Sequence, residues 1–565
     1  MGHSASLLPP KRRNDPKGRQ IQADCAKDIR TIIGEAPHHR DHLIEILHRL
    51  HDSFGFLRPD HLAALAQEMA LPMAEVYEVA TFYAHFNIVA DDVQTPPTVT
   101  VRICDGPACA LSGAADLIGK VLNSCGDRAR IIAAPCIGRC DTAPAATVGP
   151  AIIPNANTDL IDAAIKTDAR EPSPIAAEPC QAYLDGGGYG MLKACRTGER
   201  TVEDVITTLE ASSLHGLGGA GFPTARKWQM VRNEPGPRYL AVNADEGEPG
   251  TFKDRHILSL HPHRFLEGVL IAAWAVDAED VYIYLRDEYH DVRALLQRTL
   301  AQAEAAGITN TTRVHLRRGA GAYICGEESA MLESIEGKRG LPRQKPPYPS
   351  QVGLFGQPTL IHNVETLYWI PDILEKGADW FSSQGRHGCS GLRHYSVSGR
   401  VREPGVKLAP AGTTARELID EFSGGMTEGH TFKAYLPGGA SGGILPAALA
   451  DEPLHFGTLE KHGCFIGSAA VIILSDQDNI PALARDLMKF FQHESCGQCT
   501  PCRVGTEKAA SLMGEANWDQ PLLEDLSRAM ADASICGLGQ AAPNPLKSLF
   551  AYFPDDVPGV KGQKK

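Results

Sequence analysis

Two quartets of cysteine carry the first chemical signal in this 565-residue sequence. Cys104 and Cys109 have four residues between them, and Cys136 and Cys140 have three, so two close pairs of thiolates could enclose a metal centre. Zinc accepts such spacings. A [2Fe–2S] cluster, wrapped by a Cys-x4-Cys loop, accepts them too. Spacing alone leaves both open. Cys496, Cys499 and Cys502 recur at every third position, with Pro501 beside the third and Cys536 remote. Three thiolates crowded onto one turn suit one face of a cubane better than a tetrahedral ion, which is the signature of a [4Fe–4S] cluster. The remaining seven cysteines (Cys25, Cys125, Cys180, Cys195, Cys325, Cys389, Cys464) are scattered and read as small buried or surface thiols.

A second constellation is built on glycine. Gly216, Gly218, Gly219 and Gly221 leave a backbone that a flat or anionic ligand can approach closely, with N–H groups free to face a phosphate. Pro223 then starts a helix that carries Lys227. The stretch before the loop has helical spacing, so this is not the strand-first dinucleotide fingerprint. The apolar strand Arg238–Asn243 leads into Asp245, Glu246 and Glu248, three carboxylates in four residues. A solvated loop is the plain reading of such a run; the strand before it and Pro249-Gly250-Thr251-Phe252 after it favour a used one. Gly319, Gly321, Tyr323, Gly326, Glu327 and Glu328 form a further glycine loop with a carboxylate pair. A basic, proline-stiffened arm follows, with Lys338, Arg339, Arg343, Lys345 and Tyr348. This combination makes sense around an anionic nucleotide. His362, Asn363, Glu365 and Thr366 follow another strand.

The elements that must position these residues fall into successive units. Residues 1–24 are polar, lack the apolar core of a secretory signal and are expected to be disordered. Residues 25–92 repeat apolar positions at three and four, as a helical bundle does. Residues 93–165 alternate strand and helix around the first four cysteines, and 166–182 form a Pro/Ala-rich linker. Residues 183–391 alternate strands with helices at 264–276 and 291–304, as in an α/β domain. Residues 392–470 form a separate module with a helix at 414–422, and 471–565 open with the amphipathic helix 480–493. The net charge of −13 argues against nucleic acid and an anionic membrane surface, and no apolar run reaches spanning length. Fifteen cysteines without a secretory signal point to a reducing, cytoplasmic setting.

Ala80-Thr81-Phe82-Tyr83-Ala84-His85-Phe86, followed by the Cys104 and Cys136 pairs, resembles the 24 kDa subunit of complex I. That resemblance implies a thioredoxin-like domain with one [2Fe–2S] cluster on Cys104, Cys109, Cys136 and Cys140. From about residue 183 onward the chain resembles the 51 kDa subunit of complex I, which binds FMN and NADH, carries a β-grasp module and ends in a helical [4Fe–4S] domain. The resemblance implies that FMN lies against Gly216, Gly218, Gly219, Gly221 and Lys227, with Asn243, Asp245, Glu246, Tyr323, Gly326, Glu327, Asn363 and Thr366 completing its contacts. NAD stacks over the ring near Phe222 and Tyr348. Glu248 and Glu328 form an outer layer that accepts hydrogen bonds from its amide and ribose, and Lys345 meets charge. Glu248, Lys227 and Glu328 are the residues expected to act in catalysis. This chain has His362 where that family shows a first Asn, and Tyr348 where it often has Phe.

The union of both input units in one chain resembles soluble relatives of complex I. Tyr284–Tyr289 and Gly399–Gly412 resemble the fused β subunit of NAD-dependent formate dehydrogenases. That implies a separate catalytic subunit with a molybdenum or tungsten pterin and further iron–sulfur clusters. The diaphorase subunit of a NAD-reducing hydrogenase and a complex I input module are alternatives. A zinc-stabilised scaffold without redox activity is a reading of another class.

Overall fold

The computed structural model describes residues 19, 21–34, 38–90, 92–167 and 171–559. Most of the stretch expected to be disordered and residues 168–170 of the expected linker lie outside them. Among the described residues four α-helices come first: Ala23–Ile33, Leu43–Phe54, Pro59–Glu68 and Met73–Phe82. The periodic residues Leu43, Ile44, Ile46, Leu47 and Leu50 are all buried, each apolar side chain contributing about 1.5–3 kcal/mol of burial. Gly55, at φ +78°, ends the second helix in a left-handed turn.

The next unit is a four-stranded sheet of β1 (Thr100–Cys104), β2 (Arg130–Ala134), β3 (Ala146–Val148) and β4 (Ala151–Ile153) in the order β2-β1-β3-β4. β1 and β2 run parallel, connected through the helix Ala114–Cys125, and β3 and β4 add antiparallel. Val101, Ile103, Leu117 and Val121 form its core.

The central domain is an all-parallel sheet of β5 (Arg238–Ala244), β6 (Ala278–Leu285), β7 (Arg313–Arg318) and β8 (Thr359–Asn363), in the order β7-β6-β5-β8. The helices Pro262–Val276 and His290–Ala305 cover it. Strand order reverses between β5 and β8, the place where open parallel sheets bind ligands beyond their carboxyl ends. There Asn243 pairs in register with Asn363. His362 and Asn363 therefore close β8 rather than follow it, a correction to the expected placement.

The module beyond is a mixed sheet of β9 (Leu392–Gly399), β10 (Gly405–Pro410), β11 (Phe432–Leu436), β12 (Leu445–Pro446) and β13 (Ala470–Ser475), ordered β10-β9-β13-β11-β12. β13 carries it to Ser475, past the expected boundary at 470. The expected helix at 414–422 starts as one α-turn, Ala415–Glu417, capped by Thr414 and Glu417, and widens into a π-helix over Leu418–Phe422. The last unit packs the helices Ile480–Glu494, Thr500–Leu512, Gln520–Ala533 and Asn544–Tyr552. One apolar cluster runs through the N-terminal bundle, one face of the central sheet and these helices. Among the described residues no helix is long and apolar enough to cross a membrane.

Candidate functional site

The glycine loop folds back on itself beside the ends of β5 and β8. Gly216 N donates to Phe222 O at 2.8 Å and Thr224 N to Leu214 O at 3.0 Å. Pro223 sits at the N-cap of the helix Thr224–Arg232, one position before its expected place. The bare loop is a packing requirement. A Cβ on Gly218 would stand 2.9 Å from Asn363 Cβ, and one on Gly221, at φ +64°, would stand 2.8 Å from the Phe456 ring. Thr366 Oγ1 accepts from Leu217 N at 2.9 Å, so this hydroxyl supports the loop from behind. Asn363 is equally engaged. Its amide nitrogen donates to Asp254 at 2.6 Å, and its oxygen accepts from Lys253 Nζ at 3.2 Å and Glu365 N at 3.0 Å.

Opposite the loop, Asn243 donates to the Gly326 carbonyl at 2.8 Å and accepts from Asp245 N at 3.1 Å. This ties the β5 end to the second glycine loop. Asp245 is different from its neighbours: its Oδ2 is buried with no hydrogen-bond partner, and burial pushes its carboxyl up to about 8. Such an orphaned acid calls for a ligand. Glu246, expected on the flavin, instead spends its carboxylate on Asp254 N (2.7 Å), Arg255 N (3.0 Å) and the Tyr289 hydroxyl (2.7 Å). It is a brace for the following helix, since alternate residues leaving β5 point to opposite sides.

Glu248 accepts from the Tyr323 hydroxyl, and from Ser441 N and Oγ at 2.8 Å. Burial raises its carboxyl while these donors hold it down. Glu327 caps the helix Glu328–Ile335 through Ser329 N and Ala330 N, both at 2.9 Å. Lys345 lies between Glu327 (2.8 Å) and Glu328 (2.7 Å). Lys227 Nζ donates to the Ile361 carbonyl at 3.1 Å, and burial lowers its ammonium against the opposing field of Glu328. Phe222 and Tyr348 stay exposed, Phe222 beneath the Arg226 guanidinium at 5.8 Å. A bare glycine loop, an orphaned buried acid and a carbonyl-held lysine fit a flat cofactor carrying a phosphate.

Two features escaped the sequence. Lys253 is fully buried between Asp254 (2.7 Å) and Glu365 (3.0 Å), and Glu365 also accepts from His394 N and Nδ1. Burial opposes the charge of Glu365, but Lys253 and His394 hold its carboxyl well below the usual range. The local sequence gives little hint, since Lys253 and Asp254 stand beside Arg255 and His256 in a stretch that reads as an ordinary polar helix start. His362 turns away from Asn363 and accepts from Trp228 Nε1 at 2.7 Å, its basicity lowered by burial and by Lys227.

The cysteine quartets converge as their spacing suggests. Cys136 and Cys140 sulfurs lie 3.4 Å apart. Gly106 lets the two loops meet, since a Cβ there would be 3.1 Å from Cys136 Cβ and 3.5 Å from Cys104 Sγ. All four thiols are buried. In the last domain Cys499 and Cys536 each occupy a helix N-cap, and Gly539 brings the Cys536 turn against Cys502, where a Cβ would stand 2.9 Å from Cys502 Cβ. Each site offers four thiols as donors, and all fifteen cysteines are free. The two cluster sites dock on the central domain. Arg255 donates to Gly138 O at 2.9 Å and to Asp141 at 2.8 Å, Arg139 pairs with Asp291 at 2.6 Å, and Glu494 accepts from Tyr323 N at 2.9 Å.

Three family descriptions match the chain: thioredoxin-like [2Fe–2S] ferredoxin over residues 29–168, the Nuo51 FMN-binding domain over 209–372, and the NADH-ubiquinone oxidoreductase-F iron–sulfur binding region over 482–558. They set aside the zinc-stabilised scaffold. The second F subunit of NADH-quinone oxidoreductase from Rhizobium meliloti (strain 1021) is 41% identical over 387 residues, which cover 66% of this chain and 91% of that protein. The corresponding F subunit from Aquifex aeolicus (strain VF5) is 39% identical over 390 residues, 66% of this chain and 89% of that protein. A chain in the crystal structure of an NAD+-reducing [NiFe]-hydrogenase in its air-oxidized state superposes with a TM-score of 0.80 at 32% identity, over 92% of this chain and 94% of that one.

Proposed function

Because the chain belongs to the family of the NADH-quinone oxidoreductase F subunits, NAD-dependent oxidoreductases with FMN and iron–sulfur centres, we propose that it is the NAD-handling subunit of a formate dehydrogenase. It would exchange electrons with a separate catalytic subunit that holds molybdenum or tungsten on a pterin and further iron–sulfur clusters. The observation that carries the NAD-handling part of this reading is the union on one chain of the [2Fe–2S] domain with the flavin and [4Fe–4S] domains. The segments Tyr284–Tyr289 and Gly399–Gly412 turn it toward formate. A cytoplasmic setting rests on the same cysteine usage.

FMN, when bound, supplies the conversion between a two-electron hydride and single electrons. The chain's own residues do the rest. Gly218, Gly219 and Gly221 admit the cofactor against the backbone. Lys227 offers positive charge where negative charge builds on reduction. Glu248 and Glu328 orient the nicotinamide nucleotide through its amide and ribose, with Lys345 held between Glu327 and Glu328 to meet its phosphates. Phe222 and Tyr348 offer ring faces to it.

A second reading, the diaphorase subunit of a NAD-reducing hydrogenase, is favoured by the match over 94% of the hydrogenase chain. Purification with the native partner separates the two. Stoichiometric molybdenum or tungsten with formate-dependent NAD+ reduction is expected. Nickel with hydrogen-dependent NAD+ reduction would overturn the formate assignment and leave the family reading intact.

A further inference from the structure

Away from the flavin and cluster sites, a cavity of about 360 Å³ opens where the N-terminal bundle, the [2Fe–2S] domain and the central domain meet. His51 and Asp52 reach it from the helix Leu43–Phe54, and His85 from the turn after Met73–Phe82. Arg102 reaches it from β1, His290 and Arg293 from the helix His290–Ala305, and Arg318 from β7.

Its wall is under-partnered in one direction. His51 Nε2, His85 Nε2, His290 Nδ1 and Arg293 Nε are buried polar atoms without a hydrogen-bond partner. The three histidines are each 8% exposed. Among the described residues Arg102 and Arg293 form no ion pair, and Arg130, which feels the charge of Arg102, forms none either. The nearby carboxylates are already spent: Asp287 on His85 (2.5 Å) and Arg318 (2.6 Å), and Asp52 on Arg318 (2.7 Å). Glu171, at the rim, is exposed.

The same rings come close enough to suggest a cation. Donor atoms of His51, Asp52 and His85 lie within 4.8 Å of one another, as do those of His48, His85 and Asp287. Charge decides against it. A divalent ion would have to take Asp52 or Asp287 from Arg318 and then sit beside two unpaired guanidiniums. An anion meets those guanidiniums and leaves every existing pair intact.

We propose that this cavity binds a phosphate-type oxyanion, with Arg102 and Arg293 supplying the charge and His51, His85 and His290 the hydrogen bonds. Imidazole can donate or accept according to its tautomer, and a phosphate offers both oxygen and hydroxyl to match. The volume lies in the range of small-molecule sites, so a phosphate monoester is accommodated as well as the free ion. Bound there, the anion ties three domains together and holds the [2Fe–2S] unit against the central domain.

The test uses the complete chain with FMN and both clusters, its nicotinamide site filled with NAD+. Equilibrium dialysis against labelled inorganic phosphate, and separately against ribose 5-phosphate, should find one saturable site per chain, the tighter probe marking free ion or ester as the source. Arg102→Gln with Arg293→Gln should weaken that site at least tenfold while NADH–ferricyanide turnover and both cluster signals persist. Absence of a saturable site for either probe in the unaltered chain overturns the proposal without any variant. So does a site undiminished in the double variant, and so does a tightly held zinc or iron ion beyond the clusters that is lost in His51→Ala.

Discussion

The Arg286 guanidinium donates to the carbonyl oxygen of Cys136 at 2.7 Å while another of its nitrogens donates to the carbonyl of Glu246. One side chain thus joins a loop of the first cysteine quartet to the acidic turn beyond β5. Burial disfavours its charge, but Glu288, 3.0 Å away, holds it firmly protonated. Arg286→Gln would leave two carbonyls short of a donor and the half-buried Glu288 without its partner, a loss of about 1.5–3 kcal/mol for a charged hydrogen bond. The expected outcome is a more negative [2Fe–2S] midpoint potential with unchanged FMN content. Redox titration followed by electron paramagnetic resonance checks it, and an unmoved midpoint would show that the arginine only packs.

Gly218→Ala should cost the chain its flavin. The new Cβ would meet Asn363 Cβ at 2.9 Å, and Asn363 cannot yield without breaking its bonds to Lys253 and Asp254. Overpacking of this kind costs about 1–3 kcal/mol. Flavin per chain should fall well below one while iron and sulfide remain full; full flavin occupancy would count against the close-approach argument.

Glu248→Gln and Glu328→Gln should raise the Michaelis constant for NADH and retain FMN and both clusters. A carboxylate accepting from amide or ribose contributes about 1.5–3 kcal/mol, or about 10- to 150-fold in affinity. Acids at the ribose also disfavour a 2′-phosphate, so NAD should be preferred over NADP. Steady-state diaphorase assays with ferricyanide measure this on the isolated chain. Loss of FMN with unchanged NADH affinity would reverse the assignment of the two carboxylate layers. Glu246→Gln serves as the contrast: its carboxylate is bound to the first turn of the following helix, at Asp254 N and Arg255 N, and to Tyr289, so it should lower stability rather than NADH affinity.

Asp245 sets a pH dependence. Its carboxyl is raised by burial to about 8 in the folded chain, against about 3.9 in an unfolded one. Between those values the folded state binds the extra proton, so the Asp245 contribution to stability is full below about 4, falls as pH rises and levels off above about 8. The flavin-free chain should therefore lose urea resistance between about pH 5.5 and 7.5 relative to Asp245→Asn. Parallel pH profiles for the two proteins would refute the buried-acid assignment.

Much of this arrangement is local and hence legible in the amino-acid order. Cysteine spacing, the glycine loop and the helical pattern of residues 43–50 or 264–276 each depend on neighbours a few positions apart, and helix and strand geometry converts such spacing directly into shared faces. What tertiary structure decided is which partners each polar group meets. Glu246 and Glu248 differ by two positions in one acidic turn, yet one braces Asp254 and the other accepts from Tyr323 and Ser441. Lys253 finds Glu365, and Arg286 finds Cys136, across more than a hundred residues of chain. His51, His85 and Arg293 meet at one cavity only because three domains dock there. A charge removed from water must be paired by whatever the fold brings within hydrogen-bond reach, and that identity is set by packing of distant segments rather than by sequence neighbours.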